Sequence, residues 1–223
     1  MLFFDIGANR GDATLAALQK GYDVIAVEPA PRVFGQLVKN FIYNPRVIPL
    51  RYAVSDTDYD LIEFYECVED GLSTLNKEWL TNEAMPYYGK EYRTVKATTI
   101  TIDTLADKLG TPDLIKIDVE GGEWNVLHGM KRKYNKIALE WTFETMEEHE
   151  KQMDYLFSLG YTKVAPQYIV NHLEEPEDWF FLQEDNGKQL LIWHQETSDA
   201  WIEKDWQKAG LRPTADVGML WLC

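Results

Sequence analysis

Short apolar runs alternate along this chain with stretches whose apolar positions recur every three or four residues. The runs predict strands over residues 1–5, 22–28, 114–119 and 136–141. The helical spacings predict a helix over 12–20, with Leu15 and Leu18 facing inward and Gly21 past its end, and another over 31–42. The second puts Val33, Phe34, Leu37, Val38 and Phe41 on one side and a proline in its first turn. Further helices are expected over 103–109, closed by Gly110, around Trp124, Leu127 and Met130, and over 146–159, ended by Gly160. Residues 47–50 and 51–56 read as extended, and 161–164 and 218–222 as two late strands flanking a long segment. Strands alternating with helices build βαβ units, so the expected class is α/β, an open sheet with helices on both faces.

In such sheets ligands bind outside the carboxyl ends of the strands, where strand order reverses, and the first strand usually feeds that site. The stretch after the first predicted strand, "FFDIGANRGD", suits the position. Asp5 ends the strand, Gly7 and Gly11 let the backbone pass close to a ligand, and Asn9 tolerates a left-handed conformation. Two ligand classes fit, a dinucleotide and an adenosyl compound. The pattern is D-x-G-x-N-x-G rather than the G-x-G-x-x-G of pyrophosphate sites, which disfavours the dinucleotide. An acidic residue is also misplaced beside a pyrophosphate, whereas Asp5 suits the ammonium of an amino-acid moiety. Glu28, ending the second strand, is placed to accept hydrogen bonds from ribose hydroxyls, which both ligand classes need. Taken singly, these residues are ordinary strand-end carboxylates and tight-turn glycines; their ordered set points to a site.

Composition narrows the partners. The 223 residues carry 37 acidic against 22 basic side chains, a net charge of −15. That excess opposes a phosphate backbone, so no nucleic-acid partner is expected, despite the local patch Lys131-Arg132-Lys133. No apolar run reaches the roughly 18 residues of a membrane span, and no secretory signal opens the chain. A soluble protein is expected. Cys67 and Cys223, far apart, read as reduced thiols and suggest a cytoplasmic setting. The length fits a single domain over 1–223.

These blocks resemble one family, the FkbM-type O-methyltransferases among class I S-adenosylmethionine-dependent methyltransferases. The resemblance rests on "DIGANRGDAT", "VIAVEPAPRVFGQLVKN", "YAVSD", "GLSTL", "TTITIDTL" and "DLIKIDVEGGEWNVLHGM", in the family's order and at compatible spacing. It implies a Rossmann-like fold whose mostly parallel seven-stranded sheet ends on an antiparallel strand. It implies S-adenosyl-L-methionine as cofactor, leaving S-adenosyl-L-homocysteine as product. Asp5, Gly7, Ala8, Asn9 and Gly11 would surround the methionine part, Glu28 and Pro29 the ribose, and Ala53, Val54 and Ser55 the adenine, with Asp118 near the sulfonium. Relatives of this kind commonly carry extra residues before the first strand. Their lack here leads to the expectation of a domain excised from a longer, glycan-processing chain.

Attack of an oxygen lone pair on a sulfonium methyl needs alignment and removal of a hydroxyl proton. Candidates for the base are Asp118, first choice, then Glu120 and Glu140. For Glu120 a helix-capping role weighs equally, and Glu123 is expected to be exposed. Paired carboxylates also suit Mg²⁺ or Mn²⁺, and the sequence leaves the metal undecided. His128 is expected to pack and His149 to be solvated; His194 competes as a base with a plain surface role, and His172 has no informative context. Two insertions, 71–93 and 167–214, are rich in aromatics suited to sugar rings. In the first stand Trp79, Tyr87, Tyr88 and Tyr92, in the second Tyr168, Trp179, Trp193, Trp201 and Trp206, most of them expected to build the insertions' own cores. The position after the strand at 114–119 reads Asp118-Val119-Glu120-Gly121, not the Asn/Asp-Pro-Pro-aromatic of amine methyltransferases. That points to oxygen as the acceptor atom, and the resemblance together with the aromatic insertions implies O-methylation of a sugar hydroxyl, with a deoxysugar such as rhamnose as one choice, in a glycan or a glycosylated small molecule. The rivals are a nucleotide-dependent oxidoreductase, which lacks its third glycine here, and a binding module without turnover.

Overall fold

Phe3 and Phe4 are adjacent and both fully buried, and successive strand residues point to opposite faces, so the first strand must be covered on both sides. The computed structural model describes residues 1–69, 71–83, 85, 87–142, 146–167, 180–181 and 217–223. It begins β1 (Leu2–Ile6), α1 (Asp12–Gln19), β2 (Asp23–Val27), α2 (Pro31–Phe41), β3 (Val47–Leu50) and β4 (Ala53–Val54). It continues with β5 (Leu61–Cys67), α3 (Glu78–Thr81), β6 (Tyr92–Ile100), α4 (Ile102–Leu109), β7 (Leu114–Ile117) and α5 (Glu123–His128). The remainder is β8 (Ile137–Thr142), α6 (Met146–Ser158), β9 (Lys163–Gln167), β10 (Phe180–Phe181) and β11 (Val217–Leu222).

β1 pairs in parallel with β2 on one side and β7 on the other. β3 extends the sheet beyond β2, and β8 extends it beyond β7. β11 lies antiparallel between β8 and β9. Seven strands thus run β3-β2-β1-β7-β8-β11-β9, mostly parallel with the chain's last strand reversed, and β10 adds a two-residue pairing outside β9. The expected mostly parallel seven-stranded sheet with an antiparallel last strand is realised. Chain order reverses between β1 and β7, so the crevice lies beyond their carboxyl ends.

One face buries Phe4, Ile6, Ile115, Ile117 and Leu139 under Leu105, Leu127 and Leu156 of α4, α5 and α6. The other buries Phe3, Val24, Leu114 and Ala138 under Ala17 of α1 and Leu37 and Phe41 of α2. Here α1 departs from expectation. Leu15 is exposed, and the inward face is Ala13, Thr14 and Ala17. Small side chains let α1 lie close on β1, where Thr14 Oγ1 donates to Asp5 Oδ2 at 2.6 Å.

β5 and β6, which the periodicity did not predict, pair antiparallel from Leu61 with Thr98 to Cys67 with Tyr92. β4 joins β6 to make a second, three-stranded sheet. Its connection, which contains α3, covers most of the first aromatic insertion. The second insertion falls almost wholly outside the described residues, as do Tyr168, Trp179, Trp193, Trp201, Trp206, His172 and His194. His149 is buried rather than solvated, with Nδ1 2.9 Å from Gln152 Oε1, because α6 turns that side inward. His128 packs against Trp124 and Tyr155, as expected. Among the described residues no helix is long and apolar enough to cross a membrane.

Two glycines test this packing. A Cβ on Gly129 would lie 2.2 Å from the Ser55 carbonyl oxygen, a backbone atom that cannot swing away, whereas one on Gly35, inside α2, meets nothing within 4 Å. Gly129→Ala is expected to destabilise by about 2–4 kcal/mol and Gly35→Ala to stabilise by about 0.5–1 kcal/mol, both read by urea denaturation. Equal effects would contradict the close approach at Gly129.

Candidate active site

The turn after β1 is shaped by positive φ angles at Gly7 (75°), Asn9 (48°) and Gly11 (98°). Gly7 has a second constraint, because a Cβ there would sit 1.7 Å from the Asp118 carbonyl oxygen. The ends of β1 and β7 are therefore in backbone contact. Gly7 and Ala8 both donate their amides to the Val27 carbonyl, and Glu28 completes the fastening. Its Oε2 accepts from the Asn9 amide at 3.0 Å and its Oε1 from the Ala30 amide at 2.9 Å. Each oxygen keeps a second lone pair. Burial pushes Glu28 up to about 7 despite these two donors.

An open cleft of about 970 Å³ lies above this turn. Gly7, Ala8 and Asn9 form one wall, Glu28 and Pro29 follow from the end of β2, and Ala53 and Val54 come from β4. Asp118 and Glu120 line the far end. Four of the residues singled out in the sequence do not line it. Asp5 is fully buried beneath the floor, Gly11 begins α1, Ser55 turns inward against Gly129, and Glu140 stands behind Asp118 and Glu120. Asn9 Oδ1 is buried and has no hydrogen-bond partner among the described residues.

Lys116 is the functional candidate that the sequence reading missed. Register places it directly beside Asp5 in the parallel β1–β7 pair, on the same face. Its Nζ lies 2.9 Å from Asp118 Oδ2 and 3.6 Å from Asp5 Oδ1, and donates to the Gly7 carbonyl at 3.3 Å. Burial alone would lower the lysine, but the charges of Asp118 and Asp5 outweigh it and hold the group above its ordinary value, hence cationic. Burial raises Asp5, against the pull of Lys116 and Thr14. The signal was present in the sequence, a lysine inside the four-residue apolar strand "LIKI", since strands of a doubly covered parallel sheet are otherwise continuously apolar.

Beyond Asp118 the chain takes two left-handed residues, Glu120 (φ 56°) and Gly121 (φ 85°). The first insertion holds them. Thr74 Oγ1 donates to the Glu120 carbonyl at 2.6 Å, Tyr87 Oη donates to Glu120 Oε2 at 2.6 Å, and the Trp79 ring lies where a Gly121 Cβ would be. Trp79 is buried and meets Tyr87 edge to face, and Tyr92 meets Tyr65 likewise; Tyr88 stands exposed.

Two carboxylates exchange their expected places. Glu123 is buried, not exposed, because it folds back to accept the Val119 amide at 2.9 Å at the start of α5. It thereby ties down the loop that precedes α5, while the Glu120 side chain faces the cleft. Burial pushes Glu123 up to about 7; burial and then the Asp118 charge push Glu120 up to about 8. Glu140 lies well above the carboxylate range for the same two reasons.

With this geometry in hand, the comparisons give a family. The Methyltransferase FkbM domain model matches residues 5–163, more than half of the chain. The chain belongs to the FkbM methyltransferase domain family. The hexuronic acid methyltransferase AglP of Haloferax volcanii is 32% identical over 140 residues, 61% of this chain and 52% of that protein. The chain thus spans about half the length of that curated relative. Among solved structures, a precorrin-6Y C5,15-methyltransferase from Geobacter metallireducens is similar at TM-score 0.39 and 16% identity, covering 81% of this chain and 73% of that one. Fibrillarin from Aeropyrum pernix, with S-adenosyl-L-methionine bound, is similar at TM-score 0.41 and 11% identity, over 78% and 62%.

Removing one member of a buried charge group exposes how the site is held. Lys116→Met is expected to cost about 3–5 kcal/mol by leaving two carboxylates uncompensated. Adding Asp5→Asn should restore at least about 1 kcal/mol of that in a double-mutant cycle by denaturation. Strict additivity would show that Lys116 and Asp5 do not interact.

Proposed function

We propose that this chain transfers a methyl group from S-adenosyl-L-methionine to an oxygen of a sugar acceptor. The observation that carries the reading is the cleft at the strand-order reversal, where the ionisable Glu28, the unpartnered Asn9 Oδ1 and Asp118 face one space. Glu28 keeps one lone pair on each oxygen for the two ribose hydroxyls. Asn9 Oδ1 accepts from the ammonium. Ala53 and Val54 offer an apolar surface to the adenine. Asp5, sealed below the floor, acts through Lys116 and Thr14 to fix the wall rather than touching the ligand. When bound, the cofactor supplies a methyl already activated on a sulfonium.

The protein's remaining tasks are alignment and proton uptake. Asp118 and Glu120 sit where an acceptor hydroxyl would enter, and a carboxylate held near 8 takes a proton more readily than an ordinary one. Glu120 is therefore preferred as base, with Asp118 orienting the hydroxyl. A hexuronic acid is favoured as acceptor over the deoxysugar expected from the family resemblance and the aromatic insertions, because the 32% relative carries that name.

Radiolabelled methyl transfer to a hexuronic-acid-containing oligosaccharide, with a deoxysugar glycan, a peptide and an RNA in parallel, tests the acceptor class. Label on the first or second glycan is expected; label only on peptide or RNA would refute it. Glu28 gives a second test. Its ordinary value is 4.5 and its folded value about 7, so below pH 7 a proton competes with the ribose hydroxyls. S-Adenosyl-L-homocysteine should bind about tenfold more tightly at pH 8 than at pH 6, at 1.36 kcal/mol per pKa unit. Glu28→Gln should weaken binding by about 10- to 100-fold, the 1.5–3 kcal/mol of a hydrogen bond to a charged group, and remove the pH dependence. A pH-independent wild type would contradict the role of Glu28.

A further inference from the structure

Four carboxyl groups crowd the acceptor end of the cleft. Asp118, Glu120 and Glu140 each bring an oxygen within 4.8 Å of the others. Glu123 stands close enough to raise both Glu120 and Glu140. Lys116 is the cation in reach, and its Nζ is already committed to Asp118 and Asp5. The independent observation concerns Glu140. Its side chain is 7% exposed, and its Oε2 is buried with no hydrogen-bond partner among the described residues. An unmet acceptor at that depth costs about 1–3 kcal/mol, more for a charged group.

We propose that Asp118, Glu120 and Glu140 together bind one hard divalent cation, Mg²⁺ or Mn²⁺ in class, at the acceptor end of the cleft. The placement follows from the sheet. Glu140 shares the face of Asp5 and Lys116, since Lys116 pairs with Ala138 two residues earlier on β8, so it points up from behind the other two. All donors are oxygens, which suits these ions. Their ligand oxygens lie within 4.8 Å of one another, close enough to share one ion. Tyr87 holds one oxygen of Glu120 and Lys116 one of Asp118, so the second oxygen of each would face the ion, and a bound ion would take over from Glu120 the acidification of the acceptor hydroxyl that Glu120 serves as base in the metal-free site. Glu140 lies within hydrogen-bonding reach of Asp118, and its Oε2 has no donor among the described residues. The cation offsets the acidic wall and offers open positions that orient a sugar's oxygens, a template role. This deepens the methyl-transfer reading and rests on it for the acceptor, while the ion itself is testable without cofactor or sugar.

The test is calorimetric titration of the whole chain with Mn²⁺, after chelator treatment, followed by Mn²⁺ electron paramagnetic resonance. One site per chain is expected, weakened by about 100-fold or more in Glu140→Gln, an effect at or beyond the upper end of what loss of a supporting partner produces. The same variant should bind S-adenosyl-L-homocysteine as the wild type does, which shows an intact fold and separates failure of the metal site from failure of the methyltransferase reading. Should Glu140→Gln fail to fold, Asp118→Asn carries the same expectation for Mn²⁺. No stoichiometric site in the wild type, or equal Mn²⁺ affinity in wild type and variant, would overturn the proposal and assign the cluster a shared proton instead.

Discussion

The site depends on one buried cation. Lys116 sits between Asp5 and Asp118 on the face of the sheet that α1 and α2 cover. Charges taken out of water are tolerated only when paired and hydrogen-bonded. That requirement fixes three things together: the register of β1 against β7, the position of α1 through Thr14, and the orientation of Asp118 at the mouth of the cleft. The backbone contact of Gly7 with the Asp118 carbonyl is the geometric counterpart, since only a residue without Cβ allows the two strand ends to close up.

A second consequence is the division of the carboxylates by environment. Glu28 is tied to two amides and faces one part of the cleft; Glu123 is consumed by the backbone of its own loop. Glu120 and Glu140 are left grouped with Asp118, which among the described residues shares Lys116 with Asp5. The first insertion belongs to this arrangement, because Thr74, Trp79 and Tyr87 hold the left-handed turn on which Glu120 stands.

The central strands were legible because strands covered on both faces are short apolar runs, bounded here by Gly7, Gly21 and Asp118. The switch-point turn and Glu28 were legible for a related reason, as left-handed geometry narrows the choice of residue. β5 and β6 were not, since their pairing spans a long connection and offers no tight-turn signal. The inward face of α1 was misread because it is built from Ala13, Thr14 and Ala17, whose small size rather than hydrophobicity allows the close approach. That Glu123 rather than Glu120 would turn back onto its own loop goes with the positive φ of Glu120, a backbone property that composition does not show. Lys116 was visible as a break in an apolar strand, but its meaning needed the register that sets it beside Asp5.

An adenosyl cofactor in the cleft at the strand-order reversal is the reading on which the roles proposed for Glu28, Asn9 and Asp118 rest. Its test is calorimetric titration of the chain with S-adenosyl-L-homocysteine, with NAD run in parallel. One S-adenosyl-L-homocysteine per chain at micromolar affinity and no NAD binding are expected. Binding of NAD instead, or of neither ligand, would contradict that reading.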